Sequence, residues 1–364
     1  MSMNFLKKER WSSDFNDKLN ALISFSAGWL CPEDKASDTP RFDKAVLYNT
    51  NFFSRASVRR KLFRRLKKYF DLKKLEETYE FMSDEYSKEI LLRLIVYKLN
   101  SQVRLRLPIY YAYELARKND FEKLLLSDDE IVLWGGMLHL KKYDLSKIGF
   151  DLKLWFSSEG LIVDFIREQY RYRDIVSVNE GDYVIDAGAC YGDTALYFSC
   201  QNKGKGKVYS FEFMPENLEI FEKNLQLNPE YADNIVLVKK AISDKTGEKV
   251  NFVLDGPGTS VSRLGNDDGA LSVDTITIDD CVAAEKISKV DFIKMDIEGS
   301  EVPALKGAVE TIRKFKPKLA ICGYHKEDDL WTIPQLIKSI LPEYRLYIDH
   351  HTCMNNETVI YAIV

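Results

Sequence analysis

From Gly181 onward, short apolar runs alternate with glycine-bearing turns and amphipathic stretches. This alternation predicts strands and helices in turn, which require a mainly parallel sheet with right-handed helical crossovers. Only a short connection separates the last two apolar runs, 344–349 and 357–364, so these two strands must pair antiparallel. The sequence therefore predicts an α/β fold with a doubly wound sheet that ends in one antiparallel hairpin.

The apolar runs also predict the individual elements of this fold. The predicted strands cover 183–186, 207–213, 235–242, 250–254, 273–278, 290–297, 318–323, 344–349 and 357–364. The predicted helices cover 194–200, 215–227, 300–315 and 331–341. The glycine-rich segment 255–269 is predicted to be a loop.

A different pattern precedes Gly181. Helical periodicity dominates 58–126, whereas two apolar runs split by Gly135 and Gly136 predict a β-hairpin over 131–140. Ser157 begins a further helical pattern with N-cap chemistry. A chain of 364 residues has the length of two domains. We expect a mainly α-helical interaction domain at 1–156, a connecting helix at 157–179 and the doubly wound domain at 180–364.

The composition, 45% hydrophobic and 30% charged, is that of a globular protein. The apolar stretches are too short to span a membrane, and no basic segment leads directly into an apolar secretory signal. The six cysteines are scattered and lack a C-x-x-C pair, which argues against a disulfide framework or a structural zinc site. We therefore expect a cytoplasmic protein with reduced thiols.

Charge is divided unevenly along the chain. Residues 1–177 hold 32 Lys and Arg against 26 Asp and Glu, a net charge of +6, and the remainder carries −10. The densest basic run, Arg59 to Lys68, has Leu62, Phe63 and Leu66 at helical spacing. It predicts an amphipathic helix whose cations either form an ordinary solvated face or contact phosphate-bearing substrates or an anionic membrane surface.

The turn after the first predicted strand, Val184 to Thr194, favours close approach of a ligand. Gly188 and Gly192 let the backbone pass near a bound group, and N–H groups of the next helix point into the same space. The second glycine falls four positions after the first, so the turn lacks the G-x-G-x-x-G pattern of dinucleotide sites. Asp186 would repel phosphate but suits a ligand with an ammonium or sulfonium charge.

Side chains suited to particular parts of a ligand lie at the carboxyl ends of the next three predicted strands. Glu212 ends the second strand, where a carboxylate can accept hydrogen bonds from both hydroxyls of a ribose. Ala241 and Ile242 end the third and suit the face of an adenine. Asp296 and Glu298 end the fourth, at the carboxyl edge where open α/β sheets bind ligands. We expect this edge to be the reaction face.

Four segments together resemble the FkbM family of class I S-adenosylmethionine-dependent methyltransferases. They are VIDAGACYGDTAL (184–196), YSFEFMPENL (209–218), VDTITIDDC (273–281) and VDFIKMDIEGSEVPALKGA (290–308). The resemblance covers about 180–364 and implies a Rossmann-like, seven-stranded methyltransferase sheet. It implies S-adenosylmethionine as the cofactor, bound by Asp186, Gly188, Ala189, Gly192, Thr194, Glu212, Phe213, Ala241, Ile242 and Asp296. Within this set, Asp186, Gly188 and Gly192 surround the methionine part, Glu212 holds the ribose, and Ala241 with Ile242 border the adenine.

An alcohol oxygen must lose its proton during methylation, and a histidine, with a pKa of about 6.5, is better poised for this than an ordinary carboxylate. His325 follows the fifth strand, where many FkbM members carry a glutamate. We predict His325 as general base, with Asp296 orienting the substrate or the imidazole; a structural histidine bonded to the backbone is the alternative. The alternative role for Asp296 and Glu298 is a divalent-cation site, which is not favoured because no third ligand is evident.

Other aromatic residues and histidines have less specific patterns. Tyr170 and Tyr172 precede the first core strand and suit either a lid over the site or packing between domains. His350 and His351 are adjacent on a strand and point to opposite faces, which favours structural or pocket-rim roles over metal binding.

The resemblance implies an enzyme, an S-adenosylmethionine-dependent O-methyltransferase. Members of the family methylate hydroxyls of sugars, polysaccharide or glycolipid precursors and secondary metabolites, so we expect a hydroxylated small molecule or glycan as acceptor. No nucleic-acid partner is expected, because the fourth strand lacks the Asn/Asp-Pro-Pro-Tyr/Phe run that holds a flipped base. The remaining alternative is a non-catalytic protein that binds the cofactor or a partner.

Overall fold

The computed structural model describes residues 13–28, 55–100, 121–252, 261–262 and 271–364. Its longer helices are α1 (Ser13–Gly28), α2 (Arg55–Tyr69), α3 (Leu72–Phe81), α4 (Glu85–Asn100), α5 (Asp193–Gln201), α6 (Pro215–Leu227), α7 (Ile278–Ala284), α8 (Glu301–Lys306), α9 (Val309–Phe315) and α10 (Asp329–Ile340). Shorter helical segments are Phe121–Leu124, Trp134–Gly136, Ser146–Ile148, Ser158–Gly160, the π-helix Leu161–Ile166 and Pro229–Ala232. Within the described ranges, every helix is too short or too polar to cross a membrane.

The strands in the described part of the chain form three sheets. They are β1 (Leu125–Leu133), β2 (Leu138–Asp144), β3 (Lys153–Phe156), β4 (Tyr183–Ala187), β5 (Lys207–Phe211), β6 (Ile235–Val238), β7 (Ala241–Ile242), β8 (Lys249–Phe252), β9 (Val261–Ser262), β10 (Leu271–Ile276), β11 (Phe292–Met295), β12 (Lys318–Cys322), β13 (Arg345–His350) and β14 (Thr358–Ile363). The largest sheet has seven strands in the order β13-β14-β12-β11-β4-β5-β6.

The seven-stranded sheet is doubly wound. Neighbours from β12 to β6 run parallel, whereas β14 lies antiparallel to both β12 and β13. The strand order reverses between β4 and β11, and at such a point a crevice opens beyond the carboxyl ends of the strands. The predicted α/β class and the antiparallel carboxyl-terminal hairpin are confirmed.

Burial on both faces explains why the central strands are almost continuously apolar. In β11, the side chains of Phe292, Ile293 and Met295 are all inaccessible to solvent. Parallel strands covered by helices on both sides need apolar residues on both faces. Lys294 is an exception in this strand, because it is charged and equally buried.

One predicted strand is divided. We expected a single strand over 235–242, but β6 ends at Val238 and β7 pairs with β10 in a second sheet, ordered β7-β10-β8-β9. Lys239 lies where the chain leaves the first sheet, and its side chain is exposed. A charged side chain at this position would be costly to bury within a continuous strand. The division brings Ala241 and Ile242, both buried, to the carboxyl edge of the large sheet.

A predicted helix over 300–315 is likewise two helices, α8 and α9, which meet at Gly307. A Cβ atom at Gly307 would collide with the carbonyl oxygen of Ser243, so the chain bends where it meets this neighbour. The carboxylate of Asp279 accepts hydrogen bonds from two N–H groups in the first turn of α9. These hydrogen bonds give partners to N–H groups at the start of α9 that have none within the helix.

The amino-terminal part combines helices with an antiparallel sheet ordered β1-β2-β3. Strands β1 and β2 form the predicted hairpin, and Gly135 and Gly136 in its turn both have positive φ. Helix α4 packs on β13 and α3 packs on α10, so these helices share a hydrophobic core with the large sheet. The domain bounds at 156 and 180 stay a prediction.

The basic run forms the predicted amphipathic helix α2. Leu62 and Leu66 are buried on one side of it, whereas Arg64 and Arg65 are exposed on the other, as are Lys61, Lys67 and Lys68. Apolar burial anchors the helix, and its cations remain accessible to solutes. Their contact with a phosphate or an anionic surface stays a prediction.

Candidate active site

A cavity of about 360 Å³ opens at the carboxyl edge of the large sheet, beside the crevice between β4 and β11. Its volume is within the range of small-molecule sites. The predicted site residues that line it are Gly188, Thr194, Glu212, Phe213, Ala241, Ile242, Asp296 and Glu298. Those outside its wall are Asp186, Ala189, Gly192 and His325. Turns after four separate strands therefore meet at one cavity.

The glycine turn lies against the segment that follows β11. Gly188 has a φ of 81°, and a Cβ atom there would collide with the carbonyl oxygen of Asp296. Gly192, with a φ of 76°, precedes α5, and a Cβ atom there would press on the ring of Phe221. Both glycines are required by conformation and by close approach, and only Gly188 faces the cavity.

Asp186 lies beneath the cavity rather than in its wall, contrary to the expected contact with the cofactor. Its carboxylate is inaccessible to solvent, accepts hydrogen bonds from the hydroxyls of Thr194 and Ser210, and pairs with Lys294 at 3.2 Å. Burial alone would lower the pKa of Lys294, but the Asp186 and Asp296 carboxylates outweigh this effect and raise it. Asp186 is therefore placed to support the wall through Thr194 and Lys294.

Glu212 is held by the turn that it begins. One carboxylate oxygen accepts hydrogen bonds from the backbone N–H groups of Phe213 and Met214, both at 2.7 Å, and the other accepts one from Asn217 at 3.1 Å. Burial nevertheless raises the pKa of Glu212 above its ordinary value. These bonds fix the carboxylate at the cavity wall, where the remaining lone pair can accept a ligand hydroxyl.

Apolar groups border the same region of the cavity. Ala241 and Ile242 are buried in β7, and the ring of Phe213 meets that of Phe252 edge to face, with centroids 5.1 Å apart. An aromatic base has apolar faces that such a surface can cover. The structure thus brings Phe213, Ala241 and Ile242 together at the cavity wall.

Asp164 and Asp193 are among the carboxylates in the cavity wall that were not predicted from the sequence. Both are buried; Asp164 accepts a hydrogen bond from Gln169 at 2.7 Å. Burial raises the pKa of Asp164 well above its ordinary value and that of Asp193 to about 7. A cationic ligand would offset this burial, because a nearby positive charge favours the ionised form of a carboxylate.

Asp296 is oriented by two tyrosines. The hydroxyl of Tyr170 donates to one carboxylate oxygen at 2.9 Å, and the hydroxyl of Tyr324 donates to the other at 3.1 Å. Burial raises the pKa of both phenols well above the ordinary value, as does the nearby Asp296 charge. The phenols therefore remain donors, and Tyr170 lines the cavity floor rather than only packing between domains.

His325 lies behind Asp296 and Glu298 and borders a neighbouring cavity that Glu298 shares. Its Nε2 is 3.4 Å from an oxygen of each of these carboxylates, and its Nδ1 is 2.9 Å from Glu301. Burial opposes protonation, but the three carboxylates outweigh burial and raise the pKa of His325 to about 9. At neutral pH the ring is then mostly protonated, which is unfavourable for the predicted role as base.

The two carboxyl-terminal histidines have hydrogen-bonding roles in the core. His350 is bonded to the hydroxyl of Thr358 and the carbonyl of Met354, and His351 to the hydroxyl of Tyr361. Burial lowers the pKa of each histidine to about 3, so both rings are neutral. Neither ring lines the cavity.

Several residues of the site were not predicted from the sequence. Lys294 carried one signal, because a charged residue inside an apolar strand is rarely buried without a partner. Glu301 carried another, since it lies at the start of the helix predicted from residue 300, three residues after Glu298. Tyr324, Asp164 and Asp193 join the site only through the fold.

Three comparisons link this arrangement to known proteins. Residues 186–351 match the model of the methyltransferase FkbM domain. The chain is 22% identical over 195 residues to the hexuronic acid methyltransferase AglP of Haloferax volcanii, covering 50% of this chain and 76% of that protein. It is 28% identical over 164 residues to the 2-O-methyltransferase NoeI of Sinorhizobium fredii, covering 40% of this chain and 65% of that protein.

The fold itself is similar to that of a solved structure. The crystal structure of methyltransferase FkbM from Methylobacillus flagellatus aligns with a TM-score of 0.55 at 19% identity, covering 95% of this chain and 77% of that one. At this identity the likeness shows the Rossmann-like methyltransferase fold alone. Residues 186–351 of this chain therefore carry the match to the methyltransferase FkbM domain.

Proposed function

We propose that this protein transfers a methyl group from S-adenosylmethionine to a hydroxyl group of a sugar-like acceptor. One observation carries the proposal. Asp296 and Glu298 line the same cavity as the Gly188 turn, Glu212 and Ala241, so groups suited to a hydroxyl lie beside groups suited to the cofactor.

The residues present fit S-adenosylmethionine. Glu212 offers an acceptor to a ribose hydroxyl, and Ala241 with Ile242 offers an apolar surface to the adenine. Asp164 and Asp193 line the cavity, and a sulfonium or ammonium group beside them would lower their raised pKa values and favour their ionised forms. When bound, S-adenosylmethionine supplies a methyl group already activated on a sulfonium sulfur.

The chain must hold the acceptor oxygen in line with the methyl carbon and accept the hydroxyl proton. A C–O bond forms as the methyl C–S bond breaks, the electron pair of that bond passes to sulfur, and the proton leaves the oxygen. We assign contact with the hydroxyl to Asp296 and Glu298 because both line the cavity, whereas His325 lies behind them. Glu298 is assigned as proton acceptor because it lines the cavity and burial raises its pKa to about 7, which suits a base that works near neutral pH.

The names of two relatives support a sugar hydroxyl as acceptor. One acts on a hexuronic acid and the other is a 2-O-methyltransferase. A sugar hydroxyl ionises reluctantly, so a carboxylate at hydrogen-bond distance is useful to receive its proton. We therefore place hexuronic acids and neutral hexoses in glycans, including lipid-linked precursors, first among acceptors.

The test is methyl transfer from isotopically labelled S-adenosylmethionine to a panel of oligosaccharides with and without hexuronic acid. Mass spectrometry should show one added methylene unit, and NMR should place the label in a methyl ether. Asp296→Asn should lower kcat by at least about 10²-fold while it retains cofactor affinity. Asp274→Asn, an exposed change of the same kind, should retain wild-type kinetics.

Two outcomes would contradict the proposal. Tight cofactor binding without turnover on any hydroxylated acceptor would favour a non-catalytic binding protein. Label found on nitrogen or carbon would exclude O-methylation. A comparison of glycans from cells with and without the gene would extend the test to the native acceptor.

A further inference from the structure

Three carboxylates converge on one buried imidazole beside the cavity. Asp296 and Glu298 approach Nε2 of His325 at 3.4 Å, and Glu301 approaches Nδ1 at 2.9 Å. The nearby ammonium of Lys294 is already paired with Asp186. Negative charge therefore exceeds positive charge in this cluster, and such an excess is costly to bury.

Polar atoms in this cluster are also left without hydrogen bonds. The side chain of Glu301 is 1% exposed. Its Oε1 accepts hydrogen bonds from the backbone N–H groups of Ile297 and Gly299. Its Oε2 is buried and has no hydrogen-bond partner in the described part of the chain. The ring nitrogens of His325, whose side chain is 8% exposed, lie near carboxylates but are not aligned with any of them for a hydrogen bond. Buried polar atoms of this kind need a partner.

We propose that Asp296, Glu301 and His325 bind one divalent cation of the Mg²⁺ or Mn²⁺ class. One donor atom from each residue lies within 4.8 Å of the other two. Two carboxylates with one imidazole suit Mn²⁺ and Mg²⁺ better than the soft metals that prefer thiolates. The sequence suggested Asp296 and Glu298 for such a site, whereas in the structure Glu301 and His325 join Asp296.

The cation deepens the function proposed above and rests on it for its role. A divalent ion next to Asp296 would lower the pKa of a hydroxyl bound at the cavity wall. Glu298 is not among the three ligands, so it remains available to receive the proton. The hydrogen bonds of Tyr170 and Tyr324 to Asp296 leave lone pairs on both carboxylate oxygens for the ion.

Mn²⁺ binding tests the site without reference to activity. The full chain is titrated with Mn²⁺, and free Mn²⁺ is followed by electron paramagnetic resonance; one ion should bind per chain, and excess Mg²⁺ should displace it. His325→Gln and Glu301→Gln should each weaken Mn²⁺ binding by at least about tenfold. Glu327→Gln, which removes an exposed carboxylate two residues from His325, should bind as wild type does.

Glu301 also orders its own turn, so unfolding of Glu301→Gln must be excluded by its melting curve. Asp296→Asn provides a second ligand variant that leaves those backbone bonds intact. Failure of wild type to bind Mn²⁺, or equal binding by His325→Gln, Asp296→Asn and wild type, would overturn the site and leave His325 as the cation of an ion-pair cluster. Chelator-resistant methylation of a sugar would also overturn the metal proposal but not the O-methyltransferase function. Mn²⁺ binding without methylation of any hydroxyl would overturn the O-methyltransferase function but not the metal site.

Discussion

The ammonium nitrogen of Lys294 lies 3.2 Å from a carboxylate oxygen of Asp186, and both side chains are withdrawn from solvent. The two residues are register partners on the adjacent strands β11 and β4. Lys294 also donates to the carbonyl oxygen of Gly188. One buried cation thus joins the two central strands to the glycine turn of the cavity.

Replacement of Lys294 by Met should lower the free energy of unfolding by about 3–5 kcal/mol, because Asp186 is left buried without its partner. Denaturant titration measures the change. Lys316→Met is the matched control, since Lys316 pairs with Glu343 at 2.9 Å with both side chains about half exposed. Its loss should stay below about 1 kcal/mol, and equal losses in the two variants would contradict a special role for Lys294.

Gly188→Ala should disrupt the junction between the glycine turn and the segment after β11. The new Cβ would meet the carbonyl oxygen of Asp296, so stability should fall and S-adenosylmethionine should bind more weakly. Gly181 has a similar φ, 79°, but open space around it. Gly181→Ala should therefore show only the strain of the backbone, about 1 kcal/mol, with unchanged cofactor affinity by calorimetry. Equal cofactor affinity in the two variants would argue against the close approach at Gly188.

Glu212→Ala should weaken S-adenosylmethionine binding by about 2–3 kcal/mol, the range for hydrogen bonds to a charged group. Calorimetry with the purified chain measures the affinity. Glu219→Ala, on the exposed side of the helix that follows, is the control and should bind the cofactor normally. A folded Glu212→Ala protein with wild-type affinity would remove Glu212 from the cofactor site.

His351 should make stability depend on pH. Its pKa is about 3 in the folded protein and about 6.5 when unfolded, so below pH of about 6.5 only the unfolded state gains the proton. The neutral ring makes its full contribution to stability above pH of about 6.5. As pH falls from there towards 3, the free energy of unfolding decreases by about 1.4 kcal/mol per pH unit.

His351→Gln should therefore lose less stability in acid than wild type does. The difference in unfolding free energy between the two proteins should decrease by about this amount for each pH unit. Tyr361→Phe removes the same hydrogen bond but keeps the titrating ring, so its unfolding free energy should run parallel to wild type. Urea titrations between neutral and mildly acidic pH compare the three proteins. A His351→Gln curve parallel to wild type would show that the ring does not titrate in this way.

Charge reversal on α2 should affect the acceptor if the basic face contacts phosphate or an anionic surface. Arg64→Glu with Arg65→Glu should raise the acceptor KM, and added salt should do the same to wild type, because exposed charges are screened. Cofactor affinity should stay constant. Lys203→Glu with Lys205→Glu makes the same change of charge elsewhere on the surface. If both double variants behave as wild type at low and high salt, α2 is an ordinary solvated helix.

Much of the fold could be predicted because local patterns carry it. Buried strands such as Phe292–Met295 are apolar except for Lys294, helices begin at recognisable residues such as Pro215, and the short link before Thr358 permits only an antiparallel strand. Two breaks were not predictable. The chain leaves the sheet after Val238, and the helix bends at Gly307 to avoid the backbone of Ser243, a neighbour that no sequence window contains.

The sequence by itself determined the α/β class, the resemblance to FkbM methyltransferases and the turns that supply the cavity wall, since each depends on residues close together in the chain. Only the tertiary structure decided which side chains face the cavity. It withdrew Asp186 to a buried pair with Lys294, set His325 behind Asp296, and brought Glu301 and Asp164 to the site. The physical reason is that burial and charge pairing depend on neighbours from adjacent strands, and those neighbours are fixed by sheet register rather than by position in the sequence.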